Sequence, residues 1–175
     1  MIYCIYMLQS AQELLEKVKP YLAQVDDFCK EYELIDKVQA DHCGLKCGTV
    51  EVYESQRKLF EYTSRFVYQS IISQRRISII GLEKGLTSAI GEYNYLELSD
   101  QKPDGSQKDM FDHCEVVPVG ISYDGLIVFL KERGVLLKET VKLHHTTYDT
   151  VLPSGFIIKF SREMLVQKIK REELI

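Results

Sequence analysis

His42, Glu97 and His113 are the residues whose types and settings could hold a divalent metal ion in this chain of 175 residues. Imidazole and carboxylate together suit zinc, iron, nickel or manganese, and two histidines with one carboxylate cap one face of the ion while leaving positions open for substrate or oxygen. Each histidine follows an aspartate, in Ala40-Asp41-His42 and in Phe111-Asp112-His113. Glu97 lies in Tyr93-Asn94-Tyr95-Leu96-Glu97-Leu98, where an extended strand puts Tyr93, Tyr95 and Glu97 on one face. The same residues also have an ordinary reading, with His42 and His113 as satisfied core histidines and Glu97 as the ion-pair partner of a cation such as Lys46. Spacing alone leaves both readings open and leans to the ordinary one, because a chain of this size offers many His and Glu pairs.

The elements that must position these residues follow from periodicity. Ser10 and Glu13 have the form of a capping box, and Leu14, Leu15, Val18, Leu22, Val25, Cys29 and Tyr32 recur at helical spacing, so residues 10–34 are predicted helical. Pro20 lacks the N–H that an interior helical residue donates, so it breaks this stretch or opens a second helix within its first turn. From Val38 the period changes. Ala40 to Lys46 reads as a strand with His42, Gly44 and Lys46 on one face and Cys43 and Leu45 on the other. A helix over 50–66 and strands over 66–72, 76–82 and 93–98 complete a first module, 38–98, of form βαβββ. Pro103 and Gly105 mark a loop, and Asp112 to Pro118 then opens a second module, 111–160, with His113 and Glu115 on one strand face. It continues with a helix over 123–133 stopped by Gly134, strands over 135–143 and 156–160, and an ambiguous stretch over 144–152. A helix over 161–173 closes the chain.

Composition narrows the class. Length and a 45% hydrophobic content suit one folded domain, 1–175, with a core that needs no disulfide or structural metal. Lys and Arg total 22 against 26 Asp and Glu, a balance that offers no general attraction for phosphate backbones or anionic lipid. Five scattered cysteines read as reduced thiols; Cys43 and Cys47 share a strand face, but no second pair lies nearby to complete a zinc site. Met1 to Leu8 is apolar yet far short of the ~20 residues that span a bilayer, and it lacks a basic n-region, so the expected location is the cytoplasm. The first nine residues read as a loosely attached extension. His144 and His145 are adjacent and point apart in extended chain, which fits a loop better than a ligand pair, and Arg75 and Arg76 read as a solvated turn.

Four strings in order, Ala40-Asp41-His42-Cys43-Gly44-Leu45-Lys46-Cys47, Leu96-Glu97-Leu98, His113-Cys114-Glu115-Val116-Val117 and Ile158-Lys159-Phe160, resemble successive motifs of the YecM family over roughly residues 13–173. The resemblance implies the fold of the glyoxalase and extradiol dioxygenase superfamily, the vicinal oxygen chelate proteins. That fold is α+β: paired βαβββ modules forming a curved mixed sheet around a cavity, here with N-terminal helices and a C-terminal helix. It also implies a metal site in which a His near the start of a module joins a carboxylate near its final strand, which maps to His42, Glu97 and His113. Where superfamily enzymes often carry a Glu late in the second module, this chain has Lys159, a poor ligand at neutral pH. Lys159 reads either as a holder of a substrate carboxylate or as the ion-pair partner of Glu97 or Glu115. Glu115 reads as a general base, a hydrogen-bonding partner of a metal ligand, or the acceptor of that ion pair.

Two functions follow from the resemblance. One is a metal-dependent isomerase, lyase or oxygenase acting on a small organic acid or carbonyl compound, with the metal on His42, Glu97 and His113, with Glu115 and Lys159 as catalytic groups, and with Lys46 and Tyr95 contacting substrate. The other is a binding protein of the same fold without catalysis, whose Lys46 and Lys159 hold an anion. Either takes a small molecule and no nucleic acid or membrane, and both leave homodimerisation open.

Overall fold

The computed structural model describes residues 10–72, 74–141 and 146–173. The predicted N-terminal extension, Cys4, His144 and His145 lie outside the described residues. Two helices come first, α1 (Ala11–Glu16) and α2 (Lys19–Glu31). Ser10 and Glu13 form the capping box at the start of α1, and Pro20 sits in the first turn of α2, where its missing N–H has no helical partner to lose. Leu22, Val25 and Cys29 turn one stripe of α2 into the core.

The first module is β1 (Val38–Lys46), α3 (Val50–Glu61), β2 (Ser64–Ile72), β3 (Arg75–Ser88) and β4 (Gly91–Ser99); the second is β5 (Met110–Pro118), α4 (Tyr123–Glu132), β6 (Lys138–Val141), β7 (Thr146–Val151) and β8 (Ile157–Phe160). Helix α5 (Leu165–Glu173) follows. All eight strands form one sheet in the order β2-β3-β4-β1-β5-β8-β7-β6. Within each module the first strand runs parallel to the last, β1 with β4 and β5 with β8, and β1 and β5 meet antiparallel at the centre. The order therefore reads the same outward from the β1–β5 seam in both directions, the α+β arrangement of paired βαβββ modules in a curved mixed sheet.

One face of the sheet carries the core. Cys43, Leu45, Leu96, Leu98, Cys114, Val116, Ile158 and Phe160 pack there against Tyr53 and Phe60 of α3 and Leu126 and Leu130 of α4. The opposite face is where His42, Glu97, His113 and Lys159 stand.

Several readings differ from expectation, strand β3 running on to Ser88 among them, and four have a local reason. Helix α3 stops at Glu61 because residues 64–66 join β2 in pairing with β3. Strand β6 starts at Lys138, since Gly134 takes φ +76° and the N–H groups of Gly134 and Val135 bond Lys131 and Leu130, a Schellman ending that binds Val135 to the helix. Helix α5 begins at Leu165, not Ser161, because the Ser161 N–H still pairs with Val116 across the sheet at 2.9 Å. Arg75 and Arg76 are not a solvated turn: they open β3, where Arg76 pairs with Asp100 at 2.7 Å and with Glu54, and Arg75 bonds Gln107. Among the described residues no helix is long and apolar enough to cross a membrane.

Candidate metal centre at the seam between modules

In a regular strand, neighbouring side chains point to opposite faces, so an Asp cannot bond the ring of the His that follows it. Here both do, because each Asp is the extra residue of a register shift. Across the seam Ala40 pairs with Val116 and His42 with Glu115, which leaves Asp41 unmatched; Gly44 pairs with His113 and Leu45 with Phe111, which leaves Asp112 unmatched. Ala40 and Cys43 thus both reach the core, as do Phe111 and Cys114, although each pair is three residues apart. Asp41 and Asp112 are turned onto the same face as the histidines.

The consequence is a pair of oriented rings. His42 Nδ1 lies 3.1 Å from Asp41, and His113 Nδ1 lies 2.8 Å from Asp112. An ionised carboxylate only accepts, so each Nδ1 carries a proton, and a ring that gives up its second proton, as a metal ligand must, presents its lone pair at Nε2. The rings stand 5.8 Å apart, nearly perpendicular, and both Nε2 atoms are buried without any hydrogen-bond partner. Gly44 permits this approach: a Cβ there would collide with the His113 ring.

Two carboxylates complete the cluster. His42 Nε2 is 3.5 Å from Glu115 and 3.9 Å from Glu97. Glu97 accepts from Ser99 at 3.3 Å through its other oxygen, and Glu115 accepts from Ser161 in the same way. Ligand atoms of His42, His113 and Glu115 all lie within 4.8 Å of one another. Glu115, expected as a catalytic group, is thus the carboxylate drawn tightest to the two rings, with Glu97 beside it. The structure brings Lys159 opposite Glu115 in the β5–β8 register, where its charge acts on both glutamates.

The electrostatics fit a cation. Asp41, Glu97, Asp112 and Glu115 against Lys46 and Lys159 leave the cluster with a charge of −2 when both rings are neutral. Burial disfavours the charged His42 ring, yet Glu115, Asp41 and Glu97 outweigh it and push His42 up to about 9. Burial also opposes ionisation of Glu97 and Glu115, but His113, His42 and Lys159 hold Glu97 below the usual carboxylate range, and His42, Lys159 and Ser161 do the same for Glu115. Two unpartnered imidazole nitrogens, two ionised carboxylates and a net negative charge are what a divalent ion requires.

Two other predicted residues have different surroundings. Lys46, expected to contact substrate, forms an ion pair with Asp112, the residue that orients His113. Tyr95 stands opposite His42 in the β1–β4 register, and its ring tilts against Phe66 at 5.9 Å. The roles of Gly44, Asp41 and Asp112 are absent from the expected site. A glycine inside a strand and an Asp preceding each His were the available signals.

A search of curated proteins finds no match to this chain. Among solved structures, it is similar to a structural-genomics target, protein EC4020, at 19% identity over 99% of this chain and 98% of that one, with a TM-score of 0.67. It is also similar to hydroxyglutarate synthase from Oryza sativa in complex with 2-oxoadipate, at 11% identity over 91% of this chain and 84% of that one, with a TM-score of 0.51. These likenesses agree with the glyoxalase-type fold. The family profile described as YecM protein matches residues 10–124, more than half the chain, and this chain belongs to the YecM family.

Proposed function

We propose that the chain is a metal-dependent enzyme of the glyoxalase-like superfamily acting on a small organic acid or carbonyl compound. The observation that carries this reading is the pair of buried, unpartnered Nε2 atoms of His42 and His113 facing the carboxylates of Glu97 and Glu115. Unpaired buried polar groups cost about 1–3 kcal/mol each, so a shared partner is needed to offset them. His42, His113 and Glu115 would hold the ion with Glu97 adjoining, and the centre takes one histidine from each module, which makes the two modules one working domain. When bound, the ion supplies Lewis acidity toward a substrate oxygen.

The surrounding residues then have separate tasks. Asp41 and Asp112 fix the rings by holding Nδ1, and Lys46 keeps the Asp112 carboxylate ionised and in place. Lys159 has no ion pair within contact distance among the described residues, so its ammonium is available to an anionic substrate oxygen. Glu97 and Glu115 are ionised at neutral pH, and whichever of them leaves the ion free of its second oxygen can accept a proton from substrate. The likeness in fold to a protein in complex with 2-oxoadipate agrees with a small organic acid as ligand.

Lys159, without an ion pair at contact distance among the described residues, also favours a second reading, a binding protein that holds an anion without catalysis. Elemental analysis of protein purified without a metal-affinity tag separates the two. Stoichiometric metal supports the enzyme, and its absence from protein that still binds small acids supports the binding protein.

A further inference from the structure

On the site face, a cleft of about 180 Å³ lies between β2–β3 and the C-terminal helix α5, with Glu97 of the candidate centre in its wall. Its floor is Ile77 and Ile79, which are 4% and 3% exposed yet stand outside the main core cluster. Leu165, Lys168 and Ile169 of α5 close it from above, at the i, i+3 and i+4 spacing that puts three side chains on one helical face. The helix is tied to the centre, because the Leu165 N–H donates to Asp41 at 2.8 Å, the same carboxylate that holds His42. Lys168 is half-buried and lines this cleft, and its ammonium pairs with no carboxylate among the described residues.

We propose that this cleft receives the carbon skeleton of a short aliphatic carboxylic acid whose carboxylate is held by Lys168. The inference rests on the reading of this face as a site for small organic acids, and it adds the size, the polarity and the residue that selects for them. A dry apolar cavity of about 150 Å³ holds one benzene, so this cleft takes a ligand of roughly six to eight non-hydrogen atoms. Drug-sized or cofactor-linked ligands need about 300 Å³ or more. Of the two charged walls, Lys168 attracts a carboxylate and Glu97 repels it. The carboxylate therefore goes to α5, while the skeleton lies on Ile77 and Ile79, the latter being the register partner of Glu97.

Pentanoate is the probe, titrated calorimetrically into the full chain both in EDTA and after loading with zinc, with pentylamine as the cationic match and Lys168→Met and Lys168→Arg as variants. Saturable pentanoate binding in EDTA is expected, weakened about tenfold or more by Lys168→Met, the worth of one charge-assisted contact. Lys168→Arg is expected to retain binding, and pentylamine to bind more weakly than pentanoate. Equal affinity in wild type and Lys168→Met, equal affinity for the two probes, or no saturation by about 10 mM, where binding is weaker than about 3 kcal/mol, overturns the proposal. A chain that takes up no zinc but binds pentanoate through Lys168 removes the metal function and leaves this inference standing. One that takes up zinc without any dependence on Lys168 does the reverse.

Discussion

Gly44 and His113 are register partners across the β1–β5 seam, and the His113 ring fills the space that a side chain at 44 would occupy. Gly44→Ala is therefore expected to displace the ring and weaken metal binding by about 10- to 100-fold, the range seen when ligand orientation is lost. Overpacking adds about 1–3 kcal/mol of destabilisation. Chelator-competition titration and urea melts on one preparation read both effects. Unchanged metal affinity would show that the ring position does not matter to the site.

Lys46 and Asp112 set the second expectation. Lys46→Met leaves Asp112, 6% exposed at its side chain, without its cation while His113 still donates to it. A buried unpaired charge costs several kcal/mol, and the partial exposure of Lys46 reduces this to about 1–3 kcal/mol. Loss of stability with metal uptake retained is expected. If small acids bind Lys46→Met less tightly in a metal-free chain of unchanged stability, the lysine is a substrate contact instead.

The pH dependence of the metal-free chain follows from His42. Its folded value is raised to about 9, so the charged ring stabilises the fold fully below the unfolded value near 6.5. That stability is lost as pH rises through about 9. Urea midpoints in EDTA are expected to fall between pH 6.5 and 9, and His42→Gln to flatten the slope. Asp112 acts at the other end, because His113 and Lys46 hold it well below the usual carboxylate range. Its contribution is present above pH ~3.9 and is lost as pH falls toward its folded value.

The thiols give a fourth test. Cys29, Cys43, Cys47 and Cys114 are free and buried, and Cys43 and Cys114 face each other across the seam. Burial pushes the Cys29, Cys47 and Cys114 thiols up to about 12, which leaves almost no thiolate at neutral pH. Thiol titration is expected to count five free cysteines under denaturing, non-reducing conditions and slow reaction of the four buried ones in the native chain. A denatured count of three or one would reveal a native disulfide.

The elements that carry the site are legible in the sequence because their cores alternate cleanly: Cys43 and Leu45, Leu96 and Leu98, and Cys114 and Val116 each mark a strand face, and the remaining positions then fall on the other. Strand β7 is hard to read because Thr146 to Val151 is mostly polar and only Thr150 of it is buried. The Asp-His pairs are visible as a repeat, but alternation sends Asp41 and Asp112 to the core side. Only the pairing of β1 with β5 reveals the two register shifts that bring them back, and a shift depends on the partner strand, which periodicity within one strand does not encode. The pairing of Lys46 with Asp112 is hidden for the same reason.

Zinc titration of the full chain under chelator competition tests the two-histidine centre most directly, with His42→Ala and His113→Ala in parallel. One site per chain is expected, weakened beyond about 100-fold by either substitution, since each removes a ligand rather than its support. Zinc bound as tightly by His113→Ala as by the unchanged chain, or no zinc bound by either, would contradict a metal centre shared between the two modules.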